Sequence, residues 1–272
     1  MTPNPRHLIL RLLSAADDGE LSSREAVAGC GLFGIRENSV RVALVRLASA
    51  GLVEAAGRGS YRLGPNSAGL AADVATWRSA ERRVHAWSGG WVAVHRGNLA
   101  RSDRVALRAS DRALALVGLR ELERGLCVRP DNLVGGVSLV RDRLQTLGLH
   151  AHAAVFLVSQ LDEEREAHAR TLWDGKRLTK NYRQTRQRIE KWRQRANQLE
   201  TDVAARESFL LGNEAIRQLV FDPLLPEPLV DVAERRAFVN AVLELDRVGR
   251  AIWQRELGRV KPRQPQQSWE LS

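Results

Sequence analysis

Asn38, Arg41, Val45 and Ser49 recur at steps of three and four, with Ser39 and Arg46 flanking them. At 100° per residue such side chains share one face of a helix. Asn and Arg carry donor and acceptor pairs that match purine edges, and a small apolar group such as Val45 suits a thymine methyl. Arg36 stands just ahead of this run. Arg58 lies between Gly57 and Gly59, with Ser60 next, so it occupies a turn from which a guanidinium can reach a phosphate or the minor groove. The set Arg36, Asn38, Ser39, Arg41, Val45, Arg46, Arg58 and Ser60 thus points to contact with double-stranded DNA.

The elements that would position these residues can be read around them. Leu8, Ile9, Leu12 and Leu13 have helical spacing, and Asp17-Asp18-Gly19 ends that helix. Ser22 or Ser23 can cap a second, short helix that has Glu25 in its first turn. Glycines 29, 31 and 34 mark a turn. A third helix is expected over about Arg36 to Ala50, with Val40, Ala43, Leu44 and Leu47 inward and Gly51 as its terminator. Leu52 to Ala55 and Ser60 to Leu63 then read as two strands around the Arg58 tip. Helix, turn, helix and basic hairpin in this order spell a winged helix-turn-helix.

The bulk chemistry agrees with a polyanion as partner. The chain has 272 residues, 42 Lys+Arg against 32 Asp+Glu, and a formal net charge of +10. Lysine occurs only at 176, 180, 191 and 261, so the cation is mostly arginine, whose planar fork suits phosphates and guanine edges. A genomic bias toward arginine would give the same count. Cys30 and Cys127 are too few for a disulfide scaffold and fit a reducing cytoplasm. No secretory signal and no 18-residue apolar run is seen, so no membrane partner is expected and the location is read as cytoplasmic and nucleoid-associated.

Beyond Gly64-Pro65-Asn66-Ser67 a linking helix is expected to about His85. Then come a strand at Trp91 to His95, a helix from Asp103 to Leu119, a strand at Leu126 to Arg129, a helix from Gly136 to Leu147 and a strand from Ala153 to Ser159. This alternation suggests a ferredoxin-like α/β sandwich with one strand unplaced. From Glu163 the chain reads as helical. Tyr182, Thr185, Ile189, Trp192, Ala196 and Leu199 form an apolar seam, and Arg183, Arg186, Arg188, Lys191, Arg193 and Arg195 occupy other faces. Phe238, Val242, Leu245 and Ile252 line one face of a last helix and could serve a dimer contact or packing within the chain. Residues 171–200 hold 9 basic and 3 acidic side chains, and residues 201–260 hold 8 and 10. The last stretch is therefore the better candidate for a dimer or regulatory layer.

The fold class expected is α+β in five segments: a winged helix-turn-helix at 1–66, a linking helix at 67–90, a ferredoxin-like domain at 91–162, a helical effector or dimerisation domain at 163–260 and a flexible tail at 261–272. The run Asn-Ser-Val-Arg-x-Ala-Leu-x-Arg-Leu-x-x-x-Gly-Leu-Val from Asn38 resembles bacterial winged-helix repressors, including the GntR type. Trp87-Ser88-Gly89-Gly90-Trp91, then Gly118 to Leu122 with Gly125 to Pro130, and Phe221-Asp222-Pro223-Leu224-Leu225-Pro226 are together similar to the phenylacetic acid degradation repressor (PaaX) family. The resemblance spans about residues 5–257. It implies a dimeric transcriptional repressor on an inverted-repeat operator, released by a small-molecule effector such as an aryl- or acyl-CoA.

Three features suggest other chemistry. Gly29-Cys30-Gly31-Leu32-Phe33-Gly34 fits G-x-G-x-x-G with Glu54 twenty residues on, but a dinucleotide site needs a strand before the first glycine, and Ser23 to Ala28 is helix-like. His150 and His152 alternate on a strand face but lack a third ligand at suitable spacing. A metal-dependent nuclease built on the ferredoxin-like domain is the alternative function. It requires a carboxylate after Trp91-Val92-Ala93-Val94, where His95-Arg96-Gly97 stands. Neither cofactor, metal nor catalytic residue is assigned, and no enzyme activity is expected.

Overall fold

The computed structural model describes residues 3–16, 18–67, 77–97 and 104–259. It is an α+β chain with two antiparallel sheets, one of three strands and one of four. It divides into two compact units: Met1–Ala75 with Trp192–Asn213 and Glu244–Ser272, and Thr76–Lys191 with Glu214–Leu243.

In the first unit, helix α1 (Pro5–Ala15) starts at Asn4, whose side chain accepts from the Arg6 amide, and buries Leu8, Ile9, Leu12 and Leu13. Strand β1 (Glu20–Ser22) leads into α2 (Ser23–Gly31). Ser22 is the cap. Its hydroxyl accepts from the Glu25 amide, and the Glu25 carboxylate accepts from the Ser22 amide, which satisfies two helix-end donors reciprocally. Helix α3 (Glu37–Ser49) buries Val40, Ala43, Leu44 and Leu47, the valine and leucines each worth roughly 1.5–3 kcal/mol of transfer free energy. It stops at Gly51, which has φ 65° and whose added Cβ would meet the Asn66 side chain at 2.6 Å. Strands β2 (Val53–Gly57) and β3 (Ser60–Leu63) form the hairpin, and β3 lies between β1 and β2.

In the second unit, β4 (Trp91–His95), α4 (Arg104–Val117), β5 (Arg120–Glu123), β6 (Leu126–Pro130), α5 (Gly136–Thr146) and β7 (Ala154–Val158) run in sequence. The sheet order is β5-β6-β4-β7, every neighbour antiparallel. Val92, Val94, Leu114, Val140, Leu144 and Leu149 belong to one buried cluster on this sheet. The strand left unplaced from the sequence is β5. Helices α6 (Glu163–Thr171), α7 (Gly175–Arg195), α8 (Thr201–Val220) and α9 (Val232–Gly258) follow, of which residues 192–195, 201–213 and 244–258 are assigned to the first unit. The α7 seam is confirmed through Ala196: Tyr182, Thr185, Ile189, Trp192 and Ala196 are buried.

Several expectations change. Within 67–90, 3-10 helix occupies Trp77–Arg83; residues 68–76, Asp103 and the tail 261–272 lie outside the described residues. His150 and His152 sit in the turn before β7, their ring centroids 5.1 Å apart, and not on a strand face, because β7 begins only at Ala154. Phe238, Val242, Leu245 and Ile252 are each at most 4% exposed, so they pack within the chain and offer no contact surface.

Candidate nucleic-acid interface

Arg36, Asn38, Ser39, Arg41, Val45 and Arg46 are all exposed on or beside α3. The helix's inward stripe is used up by α1 and α2, so its opposite face carries polar and small apolar groups to solvent. Val45 is 64% exposed and Val42 43%. The sequence reading omitted Val42, although its position 40° from Asn38 on the helix wheel places it on the same face. Arg36, Arg46 and Arg58 have no ion pair among the described residues, which leaves three guanidinium groups unpaired on this surface. Arg41 differs: its Nε and Nη2 donate to Glu37 Oε1 at 2.8 and 2.6 Å, one helical turn earlier. Both side chains are more than half exposed, so the pair adds only about 0.3–0.5 kcal/mol to stability and opens readily.

Arg58 stands in the β2–β3 turn and is exposed. Gly59 beside it has φ 76°, and its carbonyl accepts from the Ser23 amide at 2.8 Å and the Ser23 hydroxyl at 3.2 Å. The hairpin tip is thereby tied to the start of α2. Ser60 is half-buried, and its hydroxyl donates to Glu20 on β1 at 3.1 Å. That bond makes it a brace of the hairpin in this structure.

The turn between α2 and α3 is held by aromatic packing. Phe33 stacks on Trp253 with centroids 6.4 Å apart and planes 11° apart, and meets Phe209 edge-on at 5.3 Å. Gly29 lies inside α2, where an added Cβ would approach Leu12 at 2.8 Å and Trp253 at 3.4 Å. Its glycine is thus required by close packing, and no strand-to-helix phosphate turn exists there. Burial pushes the Cys30 thiol up to about 12, which makes it an inert core residue.

The arginines of α7 are less available than their sequence suggests. Arg183 and Arg186 donate to Glu234, Arg188 to Glu214, Arg193 to Glu244 and Arg195 to Glu207. Hydrogen bonds from Arg186 and Arg183 hold the Glu234 carboxyl below its usual range. Acidic residues of the later helices therefore neutralise these five arginines, and the unpaired arginines noted above belong to α3 and the hairpin.

Sequence reasoning also missed Arg129. It is 2% exposed and donates to the Val117 and Pro223 carbonyls and to Asn132 Oδ1, while Asn132 Nδ2 donates to the Leu224 carbonyl at 2.7 Å. Buried among carbonyls, the guanidinium has its pKa pushed down. The clamp fixes the Phe221–Pro226 segment, and no composition signal marks an arginine for burial.

The family model described as PaaX-like protein C-terminal domain matches residues 173–255. Among solved structures, the uncharacterized protein Rv0674 from Mycobacterium tuberculosis is similar at TM-score 0.62 and 23% identity, over 92% of this chain and 99% of that one. At that identity the likeness concerns the fold. No curated protein matches the chain. No helix among the described residues is long and apolar enough to cross a membrane.

Proposed function

We propose, from the PaaX-like C-terminal domain at residues 173–255 that supports a PaaX-family protein, that this chain is a DNA-binding transcriptional regulator and not an enzyme. The observation that carries the reading is the α3 face: Asn38, Arg41, Val42 and Val45 stand exposed on a helix whose other side is core. Such a helix fits a major groove, with Asn38 and Arg41 toward base edges and Arg36 and Arg46 toward flanking phosphates. Arg58 at the hairpin tip would contact backbone or minor groove, and Ser39 a phosphate. On this reading residues 1–66 are a winged helix-turn-helix, in which α1, α2 and α3 with the β1-β3-β2 sheet make the fold.

The β-α-β-β-α-β sequence with order β5-β6-β4-β7 supports a ferredoxin-like domain at 91–162, and 163–260 would be the effector or dimerisation layer. One winged helix reads too few bases for genomic selectivity, so a homodimer on an inverted repeat, acting as a repressor in the cytoplasm, completes the proposal. Release by an aryl- or acyl-CoA is the effector the family resemblance implies. The experiment is selection of genomic fragments bound by the purified chain. An enriched inverted repeat supports the reading; recovery of fragments without any shared sequence contradicts it.

A further inference from the structure

The second unit holds an open groove of about 680 Å³ between the facing sides of α7 and α8, within the size range of small-ligand sites. Its lining is polar. Asn181, Thr185, Arg188 and Lys191 come from α7, and Glu214 and Gln218 from α8. Three features distinguish it from an ordinary wet seam.

First, Gln218 has an unmet hydrogen-bonding group. Its Oε1 accepts from the Thr185 hydroxyl at 2.8 Å, while its Nε2 is shielded from solvent and has no partner. Turning the amide over would exchange the orphaned atom without removing the orphan. A buried polar atom left unpaired is costly, so a turn of the Gln218 side chain that lets its amide meet a ligand atom gains the difference. Second, Lys191 lines the groove with no ion pair among the described residues, whereas most basic neighbours on α7 are neutralised. Third, Arg188 is present but occupied: it grips Glu214 with both Nη atoms, a fork geometry that an incoming oxyanion can take over. Lys191 and Arg188 against Glu214 leave a net positive groove, with amide donors for orientation.

We infer that this groove is a binding site for a small, hydrophilic, oxyanion-bearing metabolite, its carboxylate or phosphate held by Lys191 and by an Arg188 released from Glu214. Glu214 then acts as an internal competitor for the same guanidinium. Binding rests on the groove alone; an effect of occupancy on DNA affinity would rest on the regulator reading.

The test is calorimetric titration of the full chain with citrate and, separately, inorganic pyrophosphate, at ionic strength matched with sodium chloride. The two probes distinguish a carboxylate from a phosphate preference. Wild type should bind at least one. Lys191→Gln should weaken that binding tenfold or more, and Glu214→Gln should tighten it severalfold by freeing Arg188. Opposite signs from two neighbouring substitutions cannot come from general loss of structure, and circular dichroism would confirm folding. Absence of binding by wild type to both probes, or equal affinity in both variants, overturns the inference. Operator binding measured in parallel separates the two claims: intact DNA binding without anion binding removes the groove site and leaves the regulator reading standing.

Discussion

Glu37 and Arg41 form a hydrogen-bonded ion pair across the first turn of α3, at 2.6 Å, on the face proposed to meet DNA. The pair sets the resting position of Arg41. Contact with a guanine edge requires the guanidinium to leave Glu37, and DNA phosphates would then face an unneutralised carboxylate. Glu37→Gln should therefore strengthen binding to both operator and random DNA by up to tenfold at low salt, with the gain shrinking as salt rises. Fluorescence anisotropy at two salt concentrations measures it.

Phe33 is the counterpart on the inner side of the α2–α3 turn. Its ring packs on Trp253 and Phe209, which joins the α2–α3 turn to the middle of α8 and the last two turns of α9. Phe33→Ala should lower unfolding free energy by about 2–4 kcal/mol through lost burial and a residual void. Urea denaturation followed by tryptophan fluorescence would report it directly, because Trp253 is part of the contact.

Arg129 tests the buried clamp. Arg129→Lys keeps the charge but loses the fork that reaches Val117, Pro223 and Asn132. Its loss should cost about 3 kcal/mol or more, with no rescue by the lysine, since buried carbonyls and a buried cation are left imperfectly paired. Thermal unfolding of the variant against Arg129→Ala is the check; a lysine variant as stable as wild type would mean that charge alone matters there.

Glu234 gives a pH dependence with a definite sign. Arg186 and Arg183 depress its carboxyl in the folded chain, so its contribution is present above the unfolded-state range of a glutamate and is lost as pH falls through the lower folded value. Wild type should lose stability on acidification below the usual carboxylate range. Glu234→Gln should already be weaker at neutral pH, by about 1–3 kcal/mol, and should show less of this acid slope. Chemical denaturation across that pH window measures both.

What could be read from the sequence followed the strength of the apolar signal. Helix α3 was legible because Val40, Ala43, Leu44 and Leu47 repeat at helical spacing inside its 13 residues and Gly51 follows to stop it. Strand β1 has three residues, too few to alternate, and β5 has Leu122 as its one buried side chain among exposed Arg120, Glu121 and Glu123. Edge strands of that kind carry no periodicity to detect. The exposed face of α3 was legible as positions on a wheel, but the Glu37–Arg41 and Ser60–Glu20 contacts depend on side-chain conformation and on a strand pairing 40 residues apart. The groove between α7 and α8 and the burial of Arg129 arise from helix and loop packing, which no local pattern encodes.

The central claim is that α3 reads bases while the hairpin tip holds backbone. It is tested most directly by measuring the affinities of Arg41→Ala and Arg58→Ala for a selected operator and for random DNA of equal length. Arg41→Ala should lose about 1–3 kcal/mol on operator and much less on random DNA, whereas Arg58→Ala should weaken both about equally. Folded variants that bind operator with wild-type affinity would contradict the account.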